Sequence, residues 1–345
     1  MKKTFLLLIA VAVGTLSGFA QSDLVATLSH GSNLSTYYGA DALSEAYTAA
    51  TEGDVITLSP GVFNAVNIEK AITVRGAGMQ PMEGNGYVPT QIGGGFTVTV
   101  PSSSSSVLTL EGIQCFETVK MSGNNLASVN ISKSRFYGLQ GDGVNLNAYS
   151  CVFENLTSNY YNGNTILNCL NCVIKNPISY GLNNGKLAKI IATNCLVLNF
   201  VDYRGHVLEY CNFKNCVIYE FVDLPQTNSA QNCIGIFNVS GGDIFKSLVN
   251  SSNVMVDGDG EIAYATVFKT LRFNDIADYN FPSSNETYEL TPTAAATYLG
   301  DDGKQVGIYG GTNPFDPTPS NPQIKKFTVD SSVNSGKLSV KINVE

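Results

Sequence analysis

The sequence predicts an all-β solenoid, and three observations carry that expectation. Four segments repeat one line: Ser150-Cys151-Val152-Phe153, Asn171-Cys172-Val173-Ile174, Asn194-Cys195-Leu196-Val197 and Asn215-Cys216-Val217-Ile218. Their cysteines recur after 21, 23 and 21 residues, and a fifth, in Asn232-Cys233-Ile234-Gly235, follows 17 later. Between them lie short β-branched runs with no helical pattern. A repeat of this length, too short to bury its own apolar face, folds by stacking on copies of itself, one coil per repeat. Stacking brings a column of residues into contact every ~4.8 Å, the spacing of neighbouring strands.

The elements follow in order along the chain. Lys2 and Lys3, an apolar stretch from Phe5 to Val13 and the small residues Gly18-Phe19-Ala20 form a secretory signal peptide over residues 1–20. Its apolar core is too short for a membrane span, and no later stretch reaches the length of one. After a polar lead-in, Asp41 to Ala50 places Leu43, Ala46, Tyr47 and Ala50 on one helical face behind an N-cap aspartate. Such a helix would plug the open end of the first coil, where core and strand edges are otherwise exposed. The solenoid is expected to occupy residues 21–312. From residue 313 onward Pro314, Pro317, Pro319 and Pro322 mark an extended linker, and two alternating runs, 323–329 and 337–344, read as a β-hairpin tail. That tail either packs on the solenoid flank or begins a surface-attachment element.

Removing the leader leaves 18 basic against 28 acidic side chains, a formal charge of −10, which argues against nucleic acid or an anionic membrane as partner. The eight cysteines of an exported chain raise the question of disulfides. Cys151, Cys172, Cys195, Cys216 and Cys233 hold one slot, and Cys115 is a candidate sixth member. An inward column of free thiols acting as small hydrophobes is the simpler reading, although bridges between adjacent coils are geometrically allowed. Metal binding by these thiols is not expected, because His30 and His206 do not recur with them.

Two stretches resemble a known family. Gly53-Asp54-Val55-Ile56-Thr57-Leu58-Ser59-Pro60-Gly61-Val62-Phe63, followed by Ile72-Thr73-Val74-Arg75-Gly76-Ala77-Gly78, is similar to the entry of secreted bacterial right-handed parallel β-helix proteins of the pectate-lyase-like superfamily. Asp301-Asp302-Gly303-Lys304-Gln305-Val306-Gly307-Ile308-Tyr309-Gly310-Gly311 resembles the stretch with which members close the helix. The resemblance implies a single-stranded right-handed parallel β-helix. It says little about chemistry, since the superfamily spans lyases, hydrolases, esterases and non-enzymes.

Aligning on the cysteine exposes further columns. The preceding slot holds Asn171, Asn194, Asn215 and Asn232, and the slot four after it holds Asn155, Asn176 and Asn199. Asparagine suits a recurrent bend because it tolerates the left-handed conformation and its amides can bond along the stack. The slot seven after the cysteine reads Ser158, Ser179, Asp202 and Asp223. Two carboxylates ~4.8 Å apart repel by about 3 kcal/mol at an effective dielectric near 20, so they need a shared cation, a protonated partner or side chains splayed into water. Resemblance to the lyases implies Asp202 and Asp223 as a calcium pair and Arg204, with Lys186 or Lys189, as base. A two-acid hydrolase arrangement is a further alternative. Tyrosines gather on the same turns, and Tyr160, Tyr180 and Tyr203, with His206 beside them, form a candidate sugar-binding flank.

The expected function is a secreted, monomeric β-helix protein whose lateral face binds an extended polysaccharide. A calcium-assisted polysaccharide lyase acting on uronate polymers and a structural or adhesive cell-surface protein are the alternatives.

Overall fold

The computed structural model of the chain describes residues 24–79, 89–99, 101–122, 128–198, 210–219, 229–237, 254–257, 264–269, 288–318, 320, 324–329 and 340–344. It is a right-handed parallel β-solenoid built from two long sheets. The first stacks Val55–Leu58, Thr73–Arg75, Leu108–Glu111, Val129–Ser132, Asn145–Tyr149, Thr165–Leu170, Lys186–Thr193, Asn212–Lys214 and Ser229–Gln231 in chain order. The second stacks Gly61–Asn64, Thr90–Gly93, Ile113–Ser122, Arg135–Asp142, Val152–Asn159, Val173–Ser179, Leu196–Val197, Val217–Tyr219, Ile234–Phe237 and Val254–Asp257. All neighbours along these paths are parallel, and the register runs residue by residue except for one shift between Phe136 and Gly138 where Arg135–Asp142 meets Ile113–Ser122.

At the N-terminal end the expected polar lead-in is a β-hairpin. Val25–His30 and Asn33–Tyr38 pair antiparallel, and the first of them also pairs antiparallel with Val55–Leu58. The signal was a period-two alternation, with Ala26 and Leu28 inward and Thr27 and Ser29 outward. Helix Ala42–Ala49 then closes this end as expected, burying Ala42, Leu43 and Ala46 against the solenoid core. Asp41 stands at the N-cap position, but its side chain makes no cap bond. Its carboxylate accepts from Asn64 Nδ2 at 2.7 Å instead, tying the helix to the second sheet. The helix C-terminus is held by Lys70, whose Nζ donates to the carbonyls of Tyr47 and Ala50 at 3.0 and 2.8 Å, a cation where the helix dipole favours one.

The bend from the first sheet to the second explains the repeated line. Lys133, Ser150, Asn171, Asn194, Asn215 and Asn232 all adopt φ between 50 and 55°. They precede the second sheet at equivalent points, so each coil turns through one left-handed residue, the conformation asparagine tolerates best among residues with a side chain. The next residue points inward. Cys151, Cys172, Cys195, Cys216 and Cys233 are buried and free, and each of the first four donates its backbone N–H to the thiol of the following coil at 3.4 Å. Cys115 is not a member: it pairs in register with Phe136, which pairs with Phe153, two residues further along the coil. Ser134 occupies the thiol slot of the preceding coil, donating its hydroxyl to Ser132 O at 2.8 Å.

A second bend falls at Glu154–Asn155, where the inward–outward alternation slips by one residue. Asn155 Nδ2 donates to Tyr137 O at 2.9 Å and Asn176 Nδ2 to Glu154 O at 2.8 Å, so this asparagine column is a ladder along the stack. Asn199 lies outside the described residues.

The residues after each cysteine, Val152, Val173, Leu196, Val217 and Ile234, face outward and are nevertheless buried. Leu290, Val306, Ile308 and Phe315 cover them, forming a second apolar cluster outside the solenoid. Burial of such side chains stabilises by about 1.5–3 kcal/mol each. The Asp301–Gly311 motif therefore does not close the far end. It runs back along the bend: Gly307 N donates to Asn215 O at 2.8 Å, Asn171 Nδ2 donates to Ile308 O and Gly310 O at 2.8 and 2.9 Å, and Lys133 pairs with Asp316 at 2.9 Å. Gly311 has φ +75°, and a Cβ there would lie 2.3 Å from Asn194 Nδ2, so the backbone approaches the ladder as only glycine permits. In the tail, Ile324–Val329 and Val340–Val344 form the expected antiparallel pair.

Candidate functional site

Asp202, Tyr203, Arg204, His206 and Asp223, five of the residues singled out from the sequence, lie outside the described residues. Two further members of the Asp202 column are described. Ser158 and Ser179 are fully buried, and their hydroxyls donate to Lys189 O at 3.4 Å and Ala188 O at 2.9 Å. These serines face the interior and bridge the second sheet to the first, so they are not ligands of a surface cation.

The remaining predicted residues gather around one turn. Tyr160 and Tyr161 have ring centroids 5.2 Å apart at 49°, and Tyr161 is 64% exposed. Lys186 Nζ donates to Tyr161 O at 2.7 Å, which holds the amine against the turn. It begins a strand that pairs back antiparallel on Gly181–Asn183 through a tight turn at Asn184 and Gly185, both with positive φ. Tyr180 is half-buried, and its N–H bonds Ser158 O at 3.1 Å. The turn is anchored from below by Asp142, a buried acid that the sequence reading passed over. Its carboxylate accepts from Asn162 N at 2.7 Å and Asn162 Nδ2 at 3.0 Å. Sequence position alone hid it, because Asp142 lies in a coil that carries no cysteine.

A different face offers the larger opening. A groove of about 450 Å³ runs over the outer surface of the first sheet, lined by Asn130, Asn147, Tyr149, Asn168, Leu170 and Ile191 among others. Parallel register sets its geometry: Asn130, Asn147, Asn168 and Ile191 form one row, and Ser132, Tyr149, Leu170 and Thr193 a second. Within the first row Asn147 Nδ2 donates to Asn130 Oδ1 and Asn168 Nδ2 to Asn147 Oδ1, both at 3.2 Å. These bonds fix the amides along the axis and leave acceptor capacity facing outward. In the second row Leu170 is 40% exposed, an apolar surface between polar neighbours. Tyr149 Oη donates to Asn313 O at 3.2 Å, so the returning C-terminal segment meets this row at one rim. The alignment on the cysteine contained this row as the slot four before it: Asn147, Asn168, Ile191, Asn212 and Ser229. Nothing in that slot marks it in the sequence, because outward polar residues are what any solvated sheet face carries.

The inner thiols carry no comparable chemistry. Burial pushes the thiols of Cys172, Cys195, Cys216 and Cys233 well above the ordinary value and that of Cys211 up to about 12, so they are protonated at neutral pH. Among the described residues no group of three or more His, Cys, Asp or Glu is placed to hold a metal ion, and no helix is long and apolar enough to cross a membrane. No family model, no curated protein and no solved structure matches the chain.

Proposed function

We propose that the chain is an exported protein of the pectate-lyase-like superfamily that binds an extended polysaccharide along its lateral face, as a monomer and without catalysing its cleavage. The observation that carries this reading is the groove on the first sheet. It is open, follows the solenoid axis, and pairs a row of amides with a row containing Tyr149 and Leu170, the combination of hydrogen-bonding and apolar surface that sugar rings require. The parallel solenoid and the two stretches of sequence resemblance support the superfamily, and the leader-like first twenty residues support export.

A calcium-assisted lyase has less support. Of its proposed residues only Lys186 and Lys189 are described, and Lys186 is tied to Tyr161 O. A glycan array read with and without calcium separates the readings. Calcium-independent retention of polysaccharides is the expected result. Retention that needs calcium, with unsaturated products released from uronate polymers, would establish the lyase, and an array bare under both conditions would leave a purely structural role.

A further inference from the structure

The groove repeats once per coil, and its four coils are in direct register through Val129–Ser132, Asn145–Tyr149, Thr165–Leu170 and Lys186–Thr193. Neighbouring strands are ~4.8 Å apart, so the first and fourth coils are separated by roughly 14 Å. One rung is close to the advance of one pyranose residue in an extended, unbranched chain. A glycan laid along the axis therefore stays in step with the protein, one sugar to each rung.

The chemistry of each rung is also restricted. None of the residues lining the groove carries a charge. A uronate polymer brings one carboxylate per residue, and each would lose solvation in the groove with no cation to replace it. The amide ladder, moreover, presents acceptors. Asn147 Nδ2 is engaged with Ser128 Oγ and Asn130 Oδ1, and Asn168 Nδ2 with Asn145 Oδ1 and Asn147 Oδ1. Each carbonyl oxygen of the row retains a lone pair, which suits sugar hydroxyls as donors. Leu170 and Ile191 offer the apolar contact for ring C–H faces.

Resting on the polysaccharide reading, we infer that the ligand is an uncharged, unbranched glycan bound parallel to the solenoid axis with one sugar residue per coil, four residues filling the groove. Linear cello-, xylo- and manno-oligosaccharides from disaccharide to octasaccharide, with oligogalacturonates as the charged counterpart, test it by calorimetric titration of the full chain. The expected result is affinity that strengthens severalfold with each residue up to the tetrasaccharide and then levels off, in at least one neutral series, with no binding of oligogalacturonates. Leu170→Asp weakens tetrasaccharide binding by about tenfold or more. Ile191→Ala, a milder change on the neighbouring rung, weakens it less, and unchanged melting curves for both variants show that the fold is intact. Binding with no break near four residues, or preference for oligogalacturonates, overturns this inference while leaving a polysaccharide-binding protein. Failure of every neutral series to bind overturns it as well, and only an array bare of all glycans removes the underlying function.

Discussion

Asn171 combines two requirements that no other side chain meets at its bend. Its backbone sits at φ 50°, and its Nδ2 satisfies the carbonyls of Ile308 and Gly310. Asn171→Ala is expected to destabilise by about 2–4 kcal/mol, adding the cost of the left-handed conformation to that of the two lost side-chain bonds, although Ile308 O keeps Phe315 N as a donor. Asn171→Gly removes only the second part and should cost less, and denaturant melts of the two variants check the order. The thiols make a separate prediction. Their raised values mean that the unfolded chain ionises first, so their stabilising contribution is complete below pH 9.0, the ordinary thiol value, and is lost as pH climbs through the raised folded values. Melting temperature should fall above that pH, and an alkylating reagent should modify none of the described thiols in the native protein and all of them after denaturation. Residue columns of this kind were legible because cysteine and asparagine recur together. Counting could not separate Cys115 from the thiol slot, since a residue two places along a strand points to the same interior. Nor could it show that Asp41 would bond Asn64, a partner 23 positions away.

Among the elements, the returning segment is the least expected. Its motif was recognised, but its place was not, because the period in the sequence reports the inward face of the coils. The outward column Val152, Val173, Leu196, Val217 and Ile234 is equally periodic and looks like part of a buried strand, with no hint of what covers it. The glycines are the local sign of a close approach: a Cβ on Gly300 would lie 2.6 Å from Asn215 Nδ2, and one on Gly311 2.3 Å from Asn194 Nδ2. Gly311→Val would force a Cβ into Asn194 Nδ2 at a backbone conformation that valine avoids. Hydrogen exchange should accelerate over residues 300–316 in that variant while the thiol column stays protected. Equal exchange in both proteins would show that the segment does not depend on this contact. The N-terminal hairpin was missed for a related reason: only Ala26 and Leu28 are inward on its first strand, and its second strand, Asn33–Tyr38, is exposed along nearly its whole length.

At the scale of the molecule, translational stacking joins fold to proposed function. It turns a period near 21 residues into a rod, lines the rod with thiols and aliphatic side chains, and sets an amide on three of the four rungs of the groove. The solenoid was legible because every coil must obey the same steric rule at the same bend. The groove was harder to see, because an outward asparagine in a sequence serves equally well as solvated surface, and only the register brings the row beside Tyr149 and Leu170. The described part of the tyrosine flank is held by Asp142 and Lys186, contacts that no repeat announces.

The stacking itself is tested most directly by paired cysteines on the exposed row. Asn130→Cys with Asn147→Cys places two thiols on adjacent coils, at a Cα separation of ~4.8 Å that a disulfide spans, whereas Asn130→Cys with Asn168→Cys places them two coils apart, at roughly twice that distance. Mild oxidation should bridge the first pair and leave the second reduced. Bridging of the second pair in preference to the first would contradict the register on which the fold and the groove both rest.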